Sequence, residues 1–431
     1  MTGVRAGRAA ERMVLAAGAG ALALAAFALV RKVQTNPGWP NGTDLDVYRA
    51  AADSILAGGH PYVRNLYTYD PYGYPPLFAE LVALLRLVLG WGETWLIWPL
   101  LCTAALFGAM YLLMRRFGVR LHIGWIVLAT GLLALGHLGR TELFHGQPDF
   151  VLLLLLVAGL VCFRNGRKIA GAIAWGLMIV VKPFLGTIVF FQLRRGQWRE
   201  AAMTVASSAA FFFAGFALFG AKIVEAVTGW LSASRWYTTI PNVAKPANQS
   251  LYGFFTRMTV GTEHSEPWIN APGLAGWLML PLAALALGAL YIGISPNLAN
   301  ARSEAEAGGL DLLDSGLPLA FAFALGPLAE APHLYLLIPA AFGAGLLAWT
   351  RWSSVDARPR WGVALLFWAA LLGMFTIPFA VKLFMPYHWA TLTGPELLAS
   401  AFNAVVVLGA SVASIYAMRA GKGFFARTAP A

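Results

Sequence analysis

The sequence predicts an all-α polytopic membrane protein, and three observations carry that prediction. Of its 431 residues, 59% are hydrophobic and 12% are charged, whereas a soluble domain carries about 25% charged residues. The apolar residues fall into runs long enough to cross a bilayer, which takes roughly 20 residues of helix. The basic residues gather in short clusters between those runs, the pattern that orients membrane proteins. A net charge of +11 distributed in this way points to membrane topology and away from a nucleic-acid partner. Cys102 and Cys162 both lie within apolar runs; they read as small core residues and imply no disulfide.

The long runs cover 13–30, 95–114, 201–219, 273–295, 361–381 and 397–418, with shorter ones at 121–138, 150–163, 316–329 and 334–350. Backbone polar groups have no water to bond in hydrocarbon, so each run is helical. Run 13–30 follows Arg5, Arg8 and Arg12 as a signal peptide would. It is long for such a segment, and Arg31 and Lys32 follow it directly, so it reads as an uncleaved first span. The basic clusters are Arg5/Arg8/Arg12, Arg115/Arg116/Arg120, Arg164/Arg167/Lys168, Arg194/Arg195/Arg199, Arg351/Arg358/Arg360 and Arg419/Lys422/Arg427. Placing all of them inside fixes the parity of crossings.

Segment 76–90, with Glu80 and Arg86, is then an interfacial or partly inserted helix and not a span. Segment 169–193 must leave and return between two basic clusters, and Lys182-Pro183 interrupts it at its middle. It reads as a hairpin of short helices with Lys182 at the tip. Loop 296–315 falls inside, although it carries Glu304, Glu306, Asp311 and Asp314 beside Arg302. The expectation is a single membrane domain over 1–431 with about twelve membrane helices and short outer juxtamembrane helices. Both termini are cytoplasmic, and the long outer segments are 32–92 and 220–272.

Most of the unusual polar residues then share the outer face. Thr43 can cap a short amphipathic helix that opens Asp44-Leu45-Asp46-Val47-Tyr48 and ends at Gly58-Gly59. The Asp44-x-Asp46 spacing reads either as a metal pair or as negative charge at a helix start; a general base needs only one carboxylate. The second outer turn, 139–149, contains His145-Gly146-Gln147-Pro148-Asp149. Pro148 suits the first turn of the following helix, whose N–H groups form either an anion site or an ordinary capped turn.

A charge within the bilayer costs about 3 kcal/mol even on insertion scales. Lys182 is therefore expected to face a cavity and not to snorkel, and methionine in its place is expected to keep the fold. The long outer loop holds Trp236-Tyr237, Asn242, Lys245, Asn248-Gln249-Ser250-Leu251 and Arg257. A late turn holds Glu330-Ala331-Pro332-His333, with His333 at the mouth of a span, and His388 follows further on.

Taken in order, Asp44-x-x-Val47-Tyr48, Gly58/Gly59, Tyr62, Tyr74-Pro75-Pro76, Gly146-Gln147, Lys182-Pro183 and Asn248-Gln249-Ser250-Leu251 with Arg257 resemble the polyprenol-phosphate-sugar-dependent glycosyltransferases of family 87. The resemblance implies a GT-C-like membrane fold. It implies inverting transfer of a hexose, mannose foremost, from a polyprenyl-phosphate-linked sugar donor to a lipid or glycan acceptor on the outer face of the cell membrane. The family's catalytic acid corresponds to Asp44 and not to Asp46. Lys182, Arg257, His333, Gln147, His145 and Asn248 are the implied donor-phosphate ligands, with Asp46, Tyr48, Tyr74 and Glu330 as secondary candidates. Members often carry a Trp and a His pair on the late outer loop, where this chain has Glu330-Ala331-Pro332-His333.

The leaving group is a lipid phosphate and no nucleotide, so no cofactor or metal is expected. The lipid tail is expected near 76–90, among the membrane lipids. The alternative class, a transporter or lipid-linked-sugar flippase, predicts inverted repeats and charges near mid-membrane. No repeat stands out in the sequence, and the polar residues favour one face.

Overall fold

In the computed structural model, residues 2–36, 38–39, 43–62, 71–117, 121–263, 265–293, 301, 303–327, 329–352, 358–376 and 401–419 are described. Arg120, Arg302, His388, Lys422 and Arg427 lie outside them. Helices make up the regular structure of the described residues. The first, α1 (Thr2–Gln34), packs along α4 (Ile123–Leu135). Between them come α2 (Asp44–Leu56) and α3 (Pro76–Arg116). Helix α2 buries Leu45, Tyr48, Ala51 and Ala52, a 3.6-residue stripe that seats it on α3. Thr43 stands at its N-cap without a side-chain cap bond.

Helix α3 breaks at Gly90, with φ 73 and ψ 172, a conformation open in practice only to glycine. The break separates the segment read as interfacial from the membrane-length stretch Ile97–Arg116. The region read as an outer turn is partly helical. Helix α5 (His137–His145) follows α4 at a 72° bend, and α6 (Asp149–Arg164) leads away from it. Next comes α7 (Lys168–Val181), which stops where Pro183 removes an N–H donor. A 3₁₀ turn, Pro183–Ile188, and the short α8 (Val189–Arg194) complete the second half of this hairpin.

Downstream lie α9 (Trp198–Ala217), α10 (Ile223–Tyr237), α11 (Ile240–Val243), α12 (Leu251–Thr259) and α13 (Leu274–Gly293). They are followed by α14 (Glu304–Leu325), the 3₁₀ segment Ala331–Leu337, α15 (Ile338–Arg351), α16 (Arg358–Thr376) and α17 (Phe402–Arg419). Among the described residues, five helices are long and apolar enough to span a membrane, or six if the bent α4–α5 pair is one span. The sequence predicts about twelve. Shorter apolar helices at Lys168–Val181, Leu274–Ala286 and Phe402–Met418 account for part of the difference.

One expectation is overturned. The acidic part of the expected loop 296–315 is the first half of α14, a helix whose Glu306, Asp311 and Asp314 are all buried. Buried carboxylates need partners, and the basic clusters supply them. Asp311 pairs with Arg164 and Arg195, and Asp314 pairs with Arg194 and, at 2.7 Å, with Arg195 Nε. Glu306 accepts from Arg351 Nε at 2.8 Å. The poor fit to the positive-inside pattern therefore has a simple cause: these acids are internal counter-ions.

Two outcomes are expected. Asp314→Ala should strand arginine charge in the core and cost about 3–5 kcal/mol, read as a large fall in the thermal unfolding temperature in detergent. Single cysteines at exposed Ala57 and Thr239 should react with a membrane-impermeant reagent in intact cells, and cysteines at exposed Asn165 and Arg199 should not. Reaction of all four, or the inverse pattern, would overturn the orientation drawn from the basic clusters.

Candidate active site

The start of α2, the end of α5, the start of α6, the end of α7 and the segment that precedes α15 bring polar side chains to one place. The turn after α5 makes this possible. Gly146 sits in the left-handed region at φ 72, and a Cβ there would lie 2.1 Å from the Leu45 side chain. A glycine is thus required twice over, for the backbone and for the close approach of α2. Trp98 Nε1 donates to the Gly146 carbonyl at 2.8 Å and anchors the turn on α3.

At the next residue, Gln147 Nε2 donates to Asp44 Oδ2 and to Glu330 Oε2, each at 3.1 Å. The other end of the same amide, Oε1, accepts from Lys182 Nζ at 3.4 Å. Lys182 Nζ also donates to Asp149 Oδ1 at 2.6 Å, with both side chains buried. His145 Nδ1 stands 3.9 Å from Asp44 Oδ2, and His333 Nε2 stands 3.9 Å from Asp149 Oδ2. Six sequence-predicted residues therefore converge: Asp44, His145, Gln147, Lys182, Glu330 and His333.

The late turn is built to deliver Glu330 and His333. Asn248 Oδ1 accepts from the Ala329 N–H at 3.0 Å, and Asn248 Nδ2 donates to the Pro327 and Val243 carbonyls at 2.8 Å. Asn248 thereby spends its amide on fixing backbone. His333 Nδ1 accepts from the Glu330 N–H at 3.3 Å, which leaves the ring proton on Nε2, the atom turned to Asp149. Phe184 packs beside the His333 ring at 5.4 Å. Burial pushes the Glu330 carboxyl up, and the Asp44 charge adds to the rise while the Gln147 hydrogen bond opposes it.

Other sequence-predicted residues have their contacts outside this hydrogen-bonded chain, although Tyr48 and Tyr74 stand near enough to feel the Asp44 charge. Asp46, two residues from Asp44, is fully buried and accepts from Arg49 Nη2 at 2.5 Å. Arg257 is fully buried and donates from Nη1 to the Lys245 carbonyl at 2.9 Å; burial brings its guanidinium down to about 9. Tyr48 and Tyr74 join Tyr72 and Phe78 in an edge-to-face cluster behind α2, with Tyr48–Phe78 centroids 4.9 Å apart. Their phenols are pushed up by burial, so they act as protonated packing groups.

Asp149 and Glu142 are the residues that sequence reasoning missed. The turn 146–149 reads as either an anion site or an ordinary capped turn, and the Asp149 N–H donates to Glu142 Oε1 at 2.8 Å. A signal for Asp149 was present. A buried lysine demands a counter-ion, and Asp149 is an acid at the outer end of an apolar run. The pairing also changes the expectation for methionine at 182, because Lys182 is no isolated cation.

Comparison with known proteins gives the same direction. Residues 72–315 match the profile of Glycosyltransferase family 87. The chain is 27% identical over 387 residues to a polyprenol-phosphate-mannose-dependent alpha-(1-2)-phosphatidylinositol pentamannoside mannosyltransferase of Mycolicibacterium smegmatis, covering 85% of this chain and 84% of that one. It is 28% identical over 271 residues to an alpha-(1->3)-arabinofuranosyltransferase of Mycobacterium tuberculosis, covering 58% of this chain and 56% of that one.

The buried pair is testable by itself. Lys182→Met leaves Asp149 as an uncompensated charge and should destabilise the protein by about 3–5 kcal/mol. The double substitution Lys182→Met with Asp149→Asn should recover most of that loss. Additive losses in a double-mutant cycle would mean that the two side chains do not act as a pair.

Proposed function

The chain belongs to glycosyltransferase family 87, and on that premise we propose that it moves a hexose, mannose foremost, from a polyprenyl-phosphate donor to a lipid or glycan acceptor at the outer membrane face. Asp44 is the general base. The observation that carries this reading is the Gln147 amide, which holds the Asp44 carboxylate at 3.1 Å while Lys182 fixes the amide from behind. A carboxylate held in one orientation by a satisfied network is what proton abstraction requires.

The reaction is a single displacement with inversion. The acceptor hydroxyl gives its proton to Asp44, and its oxygen attacks the anomeric carbon. The bond from that carbon to the phosphate oxygen breaks, and the electron pair leaves with the polyprenyl phosphate. His145, 3.9 Å from Asp44 Oδ2, borders the same space, and Glu330 shares the Gln147 amide. Asp46 is occupied by Arg49, which supports its assignment outside the chemistry. No resident cofactor is called for.

An apolar groove of about 320 Å³ lies between the end of α2, the first half of α3 and the end of α9, lined by Ile55, Leu56, Ala83, Leu84, Leu87 and Phe219. The groove begins where α2 ends, about 18 Å along the helix axis from Asp44 at about 1.5 Å per residue. We assign it to a lipid tail, whose head then reaches the polar network.

The test is transfer from radiolabelled polyprenyl-phosphate-mannose to membrane acceptors. Asp44→Asn should lower the rate by about 10² to 10⁴ or more, the usual worth of a general base, while the folded protein still binds donor. Asp46→Asn should lose far less turnover. Full activity of Asp44→Asn with a verified donor would remove the assignment. Restoration of chelated wild type by Mg²⁺ or Mn²⁺, with both aspartates essential, would replace the single-base mechanism by a metal pair.

A further inference from the structure

The donor's phosphate needs positive charge, and the network around Asp44 has little to spare. It contains the carboxylates of Asp44, Glu142, Asp149 and Glu330. Its one lysine, Lys182, already stands 2.6 Å from Asp149. Arg257 is fully buried and turned to the Lys245 carbonyl. A phosphate set among these groups would meet net negative charge.

On the other side of Asp44 the balance is reversed. Lys32, exposed at the end of α1, places Nζ 3.9 Å from the centre of the Phe144 ring. Arg140 precedes Phe144 by one helical turn on α5, and so shares its face. Lys32 and Arg140 are close enough to repel one another, and Lys32 also acts on His145. Neither cation forms an ion pair among the described residues, and the Arg140 Nε is buried without a hydrogen-bond partner. The Phe144 ring meets the His145 ring edge-on at 5.6 Å, and His145 stands 3.9 Å from Asp44.

Two unneutralised cations held together destabilise the fold unless something anionic offsets them. Their position makes the demand stronger. In the orientation set by the basic clusters they lie on the outer side, where lysine and arginine are depleted. The bland role for Lys32, a cation at a helix C-terminus, does not account for an arginine beside it on another helix. An arginine guanidinium that makes no ion pair with the described residues is the donor that suits a phosphate oxygen pair.

We propose that Lys32 and Arg140, with His145 beside them, form the binding site for the phosphate of the polyprenyl donor, a diester before transfer and a monoester in the polyprenyl phosphate that leaves. The sugar then extends from this site toward Asp44, and Lys182 serves as a positioning residue for Gln147 and not as a phosphate ligand. This assignment rests on the reading of the chain as a polyprenyl-phosphate-dependent transferase.

The test measures retention of radiolabelled polyprenyl phosphate, without sugar, by the full chain in nanodiscs of zwitterionic lipid. Thermal unfolding confirms that each variant is folded. Lys32→Gln and Arg140→Gln should each weaken binding about tenfold, the size of one lost charge-assisted contact. Lys32→Arg should stay within about threefold of wild type, since the charge is kept, whereas Arg140→Lys should lose more, since lysine keeps the charge without the guanidinium fork. Phosphatidylglycerol, with one phosphate charge and two acyl chains, should fail to displace the doubly charged, single-chain polyprenyl phosphate. Wild-type binding with unchanged affinity in both Gln variants would overturn the site, as would displacement by phosphatidylglycerol at equal concentration. A wild-type protein that neither retains polyprenyl phosphate nor transfers sugar from it would overturn the functional reading itself, and this site with it.

Discussion

The buried ion pair of Lys182 with Asp149 is the constraint on which the rest of the site depends. Neither charge can be left alone at this depth, because an uncompensated ion within a packed membrane domain costs several kcal/mol. The pair therefore fixes the end of α7 against the start of α6. Pro183 ends α7 at the residue where the ammonium must turn, and the extended φ of −129 at Lys182 makes that turn. From the same ammonium the order passes to the Gln147 amide, and from that amide to Asp44 and Glu330. A side-chain amide can face either way, and the lysine selects the face that offers N–H groups to the two carboxylates.

The site is thus divided by charge. Around Gln147 lie carboxylates, one lysine and a histidine, nearly all with protein partners. On the other side of Asp44 lie Lys32, Arg140 and His145 around the Phe144 ring. An inverting transfer needs this asymmetry. The base must stay ionised to take a proton, while the departing phosphate must be stabilised as its charge grows. Both demands conflict if base and phosphate share one set of cations, and they are compatible when His145 stands between the two regions.

Much of this was legible in the sequence, and the reasons are physical. Asp44, Gln147 and Lys182-Pro183 could be found because each violates a local rule: an acid opening an outer helix, a polar turn between apolar runs, and a lysine with a helix breaker inside one. Gly90 and Pro183 mark their breaks directly. Partnership was harder to read. Asp149 and Lys182 are separated by 33 residues, and Asp311 and Arg164 by 147, so no window along the chain contains both members. For the same reason the sequence does not show that Arg257, prominent as a motif residue, donates to the Lys245 carbonyl. Asn248 likewise proved to hold the 327–330 backbone.

The inner lock on α14 bears on how the chain is made. A helix with buried Glu306, Asp311 and Asp314 is a poor substrate for lateral release into lipid, since each acid adds about 3 kcal/mol to the cost of insertion near mid-bilayer. Arg164, Arg194 and Arg195, which neutralise the two aspartates, are synthesised more than a hundred residues earlier. They stand at the ends of α6 and α8. The expected order of biogenesis is that α6 to α8 assemble first as a receptor of fixed charge and α14 then docks onto it.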